Sequence, residues 1–388
     1  MGTVQSPAGD VTGSGAALGG VVVLDLASHA AGPNAARYLA DFGAEVMKVE
    51  RPGGDPLRRI GWSAHDGDSY FWKLVGRNKR CVTIDLKSAS GKRALERLVE
   101  TANVLVENLR PEGLEHLGLA PERLFEIRPD LVVLRISGYG QRGPYSRLPG
   151  FATAAEAIGG YAGIAGEPGG KPLLPPLPVA DEVAGIAGAF AAMVGLRHAE
   201  RTGEGQVVDV NLADVMVQLL GPLVAAYAHD GILQPRQGSA LPYTAPRGTY
   251  VCKDGRWIAL SASSEGVARR LLALLGCADD ERFSTAPGRL AASEELDLLI
   301  EKWAISKDQH DALALLRAAD VVAAPVYGVD DIVADAHFQE RKTVTQVGET
   351  VMQGLIADLS RTPGVLKFAG RPFGSDQELI DGLMGGGT

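Results

Sequence analysis

The sequence predicts an α/β fold: a large domain on a parallel sheet, built from both ends of the chain, with a smaller α+β domain between them. Three observations predict it. Short apolar runs alternate with helix-length stretches through the first half, the rhythm of strand, crossover helix and parallel strand. The first run, residues 21–26 (VVVLDL), is almost continuously apolar, which suits a strand covered on both faces. Asp254-Gly255 is a two-residue hairpin signal that opens a second module of different character.

Residues 1–19 are rich in Gly, Ser and Ala and are expected to form a flexible tail. Met1, Gly2 and Ser6 satisfy the M-G-x-x-x-S acylation pattern, although a single acyl chain anchors weakly. After the strand at 21–26, Pro33 suits the first turn of a helix that Gly43 closes, and 45–49 is the next strand. No G-x-G-x-x-G joins strand to helix, so the unit lacks a nicotinamide pyrophosphate loop. Glu50 stands where an acid would hold the ribose, and Arg51, before the turn at 52–54, offers a cation to a phosphorylated ribose. This combination is Rossmann-like and points to a different adenine nucleotide carrier.

A strand at 81–86, a helix from about Ser90, and strands at 104–106 and 131–136 continue the alternation. Leu95, Leu98, Val99 and Ala102 recur at helical spacing and should face the sheet. The Gly- and Pro-dense stretch 159–178 interrupts the pattern before an Ala-rich helix that starts near Asp181. A strand at 207–210, a helix over 212–227 and a linker at 231–246 follow. The second module has hairpin strands 248–252 and 256–260, then helices 264–275, 294–304 and 307–318. A return strand at 324–327 and β structure at 343–347 and 354–359 complete the chain. The expected domains are therefore the tail, a large domain 20–230, a small domain with its linker 231–323, and a return to the large domain over 324–388.

Composition narrows the function. The 388 residues suffice for about two domains of ordinary size, and 46% hydrophobic with 22% charged residues is a soluble globular balance. A net charge of −9 with no basic cluster argues against non-specific nucleic-acid binding, so no nucleic-acid partner is expected and an anionic ligand must be held by local cations. Cys81, Cys252 and Cys277 form no Cys-x-x-Cys, which leaves no disulfide framework or zinc site and fits a reducing, cytoplasmic compartment. No run reaches the ~18 apolar residues of a membrane span. The nearest, 183–196, is dominated by Gly and Ala and reads as a buried helix. Histidines 29, 65, 116, 198, 229, 310 and 337 show no metal-ligand spacing, and no G-x-S-x-G elbow is present.

Asp181 has two readings. As an N-cap, its carboxylate would accept backbone N–H bonds and contribute ~1 kcal/mol. As a nucleophile, it would use the same helix end, kept ionised by orphan amides while apolar walls limit its hydration. The glycine run IGGYAGIAGEPGG (158–170) is either a plain loop or a set of amides able to stabilise an oxyanion. Arg51, Lys79, Arg80, Lys87, Arg110 and His116 lie at strand ends or turns, where open α/β sheets bind ligands, and are the phosphate candidates.

Together these residues resemble the class III CoA-transferase family, the group of CaiB and BaiF. The stretches VLDLASHAAGP (23–33), FGAEVMKVERPGGDP (42–56), NKRCVTIDLK (78–87), NVLVENLRPEGLEHLGL (103–119), ISGYGQRGPY (136–145) and RTGEGQVVDVNLAD (201–214) match its pattern in order. The match continues through Ala324-Pro325-Val326 and DAHFQERK. The resemblance implies an enzyme that moves CoA from an acyl-CoA donor to a free carboxylic acid acceptor. In the family the aspartate of the segment matching LPVADEVAG, here Asp181, attacks the thioester. A mixed anhydride forms, the thiolate returns to give an aspartyl-CoA thioester, and the acceptor carboxylate attacks. CoA is thus a substrate, and no metal or redox cofactor is implied. By position, CoA contacts fall on Ala30, Ala31, Arg51, Ile84, Asp85, Leu86, Lys87, Asn108, Leu109, Arg110, His116 and Phe151. The resemblance also implies an interlocked homodimer.

The chain departs from the family pattern in three places. The racemase branch has a histidine where Phe151 stands, so α-methylacyl-CoA epimerisation would lack one of its two bases. Ala152 and Glu156 replace a usual aspartate and a common glutamine. The four-glycine loop of the formyl-CoA branch is missing between Gly231 and Gly248. A CoA-binding protein without turnover, with Asp181 as a cap, is the remaining alternative.

Overall fold

The structure is a computed structural model that describes residues 15–385. Two compact units emerge: one from residues up to 161, 174–221 and from 336 onward, the other from 162–173 and 222–335.

The larger unit is organised by six parallel strands: β1 (Val22–Asp25), β2 (Glu45–Glu50), β3 (Lys79–Thr83), β4 (Val104–Glu107), β5 (Val132–Ser137) and β6 (Gln206–Asn211). Their order is β3-β2-β1-β4-β5-β6, the doubly wound arrangement in which the chain reverses direction across the sheet between β1 and β4. Val23 pairs with Val46 on one side and Val104 on the other, and Val104 continues to Val132. Successive residues enter opposite cores, as a period of two requires. Val104, Val106, Val132, Leu134 and Ile136 face one layer, whereas Leu105, Leu131 and Val133 face the other. Each such fully buried side chain contributes roughly 1.5–3 kcal/mol, which makes this sheet the main source of stability in the unit.

The helices that matter for the site are α1 (Ala31–Asp41), α2 (Ala89–Val99), α3 (Ala152–Ile158), α4 (Val179–Thr202) and α5 (Leu212–Gln218). Helix α2 buries Ala94, Leu95, Leu98 and Val99 against the second layer, as the helical spacing predicts. Helices α1 and α4 pack closely because α4 presents glycines to α1. A Cβ on Gly185 would stand 2.8 Å from the Asn34 Cβ and 3.2 Å from the Ala31 carbonyl.

Beneath β1–β3 lies a set of paired charges that the apolar pattern did not announce. Lys79 Nζ donates to Asp25 Oδ2 at 2.7 Å and to the Pro33 carbonyl at 2.6 Å. Lys48 Nζ lies 3.1 Å from Asp55 and 3.5 Å from Asp25. Arg77 grips both oxygens of Asp41, at 2.9 and 2.5 Å. Lys79, expected as a phosphate ligand, is fully buried instead, because its ammonium neutralises an aspartate that would otherwise be stranded in the sheet.

The first described residues are ordered. Leu18, within the expected tail, is buried and donates its N–H to the Phe42 carbonyl at 3.0 Å. Gly43, at φ +106°, leaves the space that Ala16 fills, since a Cβ there would lie 2.4 Å from the Ala16 Cβ. The acylation pattern at Met1, Gly2 and Ser6 lies outside the described residues.

The smaller unit carries the antiparallel sheet β7 (Arg247–Val251), β8 (Trp257–Ser261) and β9 (Val322–Pro325), with Asp254-Gly255 in the hairpin turn. Helices Glu265–Leu275, Ser293–Ala304 and Gln309–Ala318 supply its own core around Phe283 and Ile300. Because β9 pairs with β8, the chain rejoins the larger unit at Ala336, twelve residues after the return expected at 324. Two other expectations are revised. The helix over 212–227 breaks at Gly221-Pro222, where proline cannot continue the ladder. Residues 354–359 form no strand, because β10 (Val344–Val347) turns at Gly348 and pairs with β11 (Thr350–Gln353).

Candidate active site

In a doubly wound sheet, ligands bind beyond the carboxyl ends of the strands, at the point where the order reverses. The loops leaving β1 and β4 meet there. Asn108, one residue past β4, accepts from Ser28 N–H at 2.8 Å through Oδ1 and donates to the Ser28 carbonyl at 2.6 Å through Nδ2. The side chain expected on CoA therefore fastens the two loops together.

The other expected contacts distribute along the same edge. Ala30 and Ala31 open α1 and are buried, leaving backbone at the helix start for close approach. Arg51 is exposed just past β2. Residues 84–87 follow β3: Ile84 is buried, Asp85 and Lys87 are exposed, and Asp85 Oδ1 accepts the Lys87 N–H at 3.0 Å. Leu109, Arg110 and His116 follow β4, with the two basic groups exposed. Phe151, beyond β5, is 66% exposed and meets the His29 ring edge-on at 5.7 Å. Glu50, expected to face a ribose, is turned inward. Its two oxygens take Arg58 at 2.7 and 2.8 Å, and the Asp55 N–H binds at 2.8 Å. Arg80 is exposed on β3.

Asp181 is not an N-cap. Helix α4 begins two residues earlier, with Pro178 in the cap position and no side-chain cap from it. Pro178 has no hydroxyl, amide or carboxylate with which to cap. The cap comes instead from α3: Glu156 Oε1 accepts the Ala180 N–H at 3.2 Å. Glu156 is 3% exposed, on the same face of α3 as Ala152 and Ala155. Its sequence signal was an acid at i+4 from one inward-facing alanine and i+1 from another, on the buried stripe of an otherwise apolar helix.

Asp181 then stands free in the first turn, with no ion pair within 4.0 Å among the described residues. Burial pushes its carboxyl up to about 6, and the negative charges of Glu182 and Glu156 push in the same direction. Glu182 is restrained by Asn34 Nδ2 at 2.8 Å and by Arg37 at 4.0 Å. The arrangement places a basic, incompletely solvated carboxylate at the head of a helix that begins beside the expected ligand edge.

The glycine run divides between the units at Tyr161 and Ala162. Within the smaller unit it is a tied loop, since Arg236 donates to the Gly170 carbonyl at 2.9 Å and to that of Gly163 at 3.2 Å.

The family model for CoA-transferase family III matches residues 18–377. Succinyl-CoA–D-citramalate CoA-transferase of Chloroflexus aurantiacus is 35% identical over 378 residues, covering 95% of this chain and 94% of that protein. Succinate–glutarate CoA-transferase of Agrobacterium fabrum is 35% identical over 334 residues, 84% of this chain and 83% of that protein. Among solved structures, a CaiB/BaiF family protein from Brucella suis superposes with a TM-score of 0.85 at 30% identity, covering 95% of this chain and 99% of that one.

Proposed function

We propose that Asp181 is the covalent carrier in this protein, which belongs to CoA-transferase family III and moves CoA between an acyl-CoA thioester and a free carboxylic acid. The observation that carries the proposal is the raised carboxyl of Asp181 at the start of α4, which has no ion-pair partner among the described residues. An Asp181 oxygen attacks the thioester carbon, the C–S bond breaks, and its electron pair leaves on the CoA sulfur. The thiolate then attacks the aspartyl carbonyl of the mixed anhydride and releases the donor acid as its carboxylate. The acceptor carboxylate displaces the thiolate to form a second anhydride. Thiolate attack on the acceptor carbonyl finally gives the new acyl-CoA and restores Asp181. Every step exchanges one anion for another, so no proton need move. The reaction does require Asp181 ionised, and the rate should therefore rise with pH through about 6.

For CoA we propose the edge described above. Arg51, Lys87, Arg110 and His116 are its exposed basic groups for phosphates, and Ala30, Ala31, Ile84, Asp85, Leu86, Asn108, Leu109 and Phe151 shape the remainder. The names of the relatives make succinyl-CoA the donor to test first. A cytoplasmic location is supported by Cys81 and Cys252, free thiols inside the cores. Helix α4 is long and apolar enough to cross a membrane, but the packing of Gly185 and Gly188 on α1 supports a core helix. Its opposite face exposes Ile186, Phe190 and Val194, and we assign that stripe to a second copy of the chain. Sedimentation should give a dimer, which Phe190→Asp weakens; a monomer at micromolar concentration would remove this assignment.

The central test is trapping. Wild-type protein given succinyl-CoA and a pool of acids, then hydroxylamine, should carry its adduct on the Asp181 peptide by mass spectrometry. Asp181→Ala should lose exchange by about 10³-fold or more. An unmodified Asp181 together with an active alanine variant would overturn the proposal.

A further inference from the structure

The head of α4 is built by a residue that carries charge where only a hydrogen-bond acceptor is needed. Glu156 satisfies the Ala180 N–H from inside the fold, one residue from Asp181. A neutral amide would make the same bond without placing a second negative charge beside the first. Among the described residues no cation lies within 4.0 Å of either Glu156 or Asp181.

The neighbouring elements offer little compensation. On α1, Arg37 is committed to Asn34 at 3.0 Å and lies 3.9 Å from Asp41, and it reaches only Glu182 of this group, at 4.0 Å. Tyr38 on the same helix is neutral, its hydroxyl pushed up chiefly by burial. On α5, Asp214 accepts from Asn211 at 2.6 Å. On β5, Arg135 is held by Glu107 and Glu115, each at 2.7 Å, and on β6 Asp209 accepts the Gln141 N–H at 2.9 Å. His29, before α1, packs against Phe151.

We propose that Glu156 is the positioning residue for Asp181: it fixes the first turn of α4 through Ala180 and holds an unneutralised charge whose repulsion is relieved when Asp181 is acylated. This rests on Asp181 being the covalent carrier. When the thioester is attacked, one negative charge leaves Asp181 and departs on the CoA sulfur, so the anhydride no longer faces Glu156 as an anion. Glu156 thereby raises the energy of the free carboxylate more than that of the acyl-enzyme, and it favours acylation without touching substrate.

Glu156→Gln separates the two duties, since its carbonyl can still accept the Ala180 N–H but its charge is gone. With succinyl-CoA as donor, the acid limb of kcat/KM should move to lower pH, raising the ratio of rates at pH 5 and pH 8 by at least about threefold. Because the substrate is the same, the displacement between enzymes belongs to the protein. Acyl-Asp181 trapped by hydroxylamine at neutral pH should fall by a similar factor. Glu156→Ala, which also removes the acceptor, should lose kcat further. A Glu156→Gln enzyme with the wild-type acid limb and trapping yield overturns the inference while leaving Asp181 as carrier. Absence of any Asp181 adduct in the wild type would instead remove the premise.

Discussion

Asp55 and Asp181 both lie near the carboxyl edge of the same sheet, and their acidities move in opposite directions. Burial alone would raise Asp55, but Lys48 and the Leu57 N–H outweigh it, and the carboxyl is held below its ordinary value. Asp181 meets burial with acids beside it and rises to about 6. Lys48 shows the same logic from the cationic side. Desolvation would lower it, yet Asp25, Asp55 and Glu50 together raise it. What distinguishes the two regions is the neighbour: the buried charges under β1–β3 have opposite partners, which outweigh burial at Asp55 and Lys48 though not at Asp41 or Lys79, whereas the head of α4 gathers like charges. The first pattern favours a rigid scaffold and the second a reactive group.

Three measurements would sharpen or break that contrast. The largest effect should come from Arg77→Leu, which removes the bidentate partner of fully buried Asp41 and leaves it only Asn78 at 3.3 Å and Arg37 at 3.9 Å. A loss of about 3–5 kcal/mol in urea unfolding is expected, with the acid limb of catalysis unmoved in the protein that remains folded. A loss under about 1 kcal/mol would show that the pairing is not needed for stability.

Asp181→Asn should do the reverse. Because the folded carboxyl titrates at about 6 against an ordinary 3.8, the wild type has no ionisation penalty below pH 4 and acquires it as pH rises through 6. The penalty amounts to at most about 3 kcal/mol. The inactive variant should therefore melt above the wild type at pH 8 and with it near pH 4. Equal melting at both values would mean that Asp181 is better solvated than its surroundings imply.

Gly185→Ala should have the smallest effect. Its Cβ must displace Asn34, which costs about 1–3 kcal/mol, while the better helix propensity of alanine returns close to 1. A net loss of about 1 kcal/mol, accompanied by a lower kcat because the turn bearing Asp181 is shifted, is expected from melts and steady-state rates. An unchanged kcat would show that α1 and α4 can separate without disturbing the site.

Much of the scaffold was legible because its signals are local. The runs at 21–26, 104–106 and 131–136 are apolar enough to be strands on any reading, and α2 repeats its apolar residues at helical spacing. Other features were misread for an equally physical reason. Lys79 looked like a phosphate ligand because its partner, Asp25, is 54 residues away in sequence. Glu50 resembled a ribose acid until Arg58 occupied both its oxygens. Leu18 gave no periodic signal, being one buried residue in a Gly- and Ala-rich stretch.

By itself the sequence determined the alternation of strands and helices, the hairpin at Asp254-Gly255, and an aspartate at the opening of an apolar helix, since backbone preference and hydrophobic period act over a few residues. The tertiary structure decided which charges are neutralised. Desolvation and Coulomb energy depend on distances through space, and only folding brings Glu156 to Ala180 while leaving Asp181 without a cation partner among the described residues.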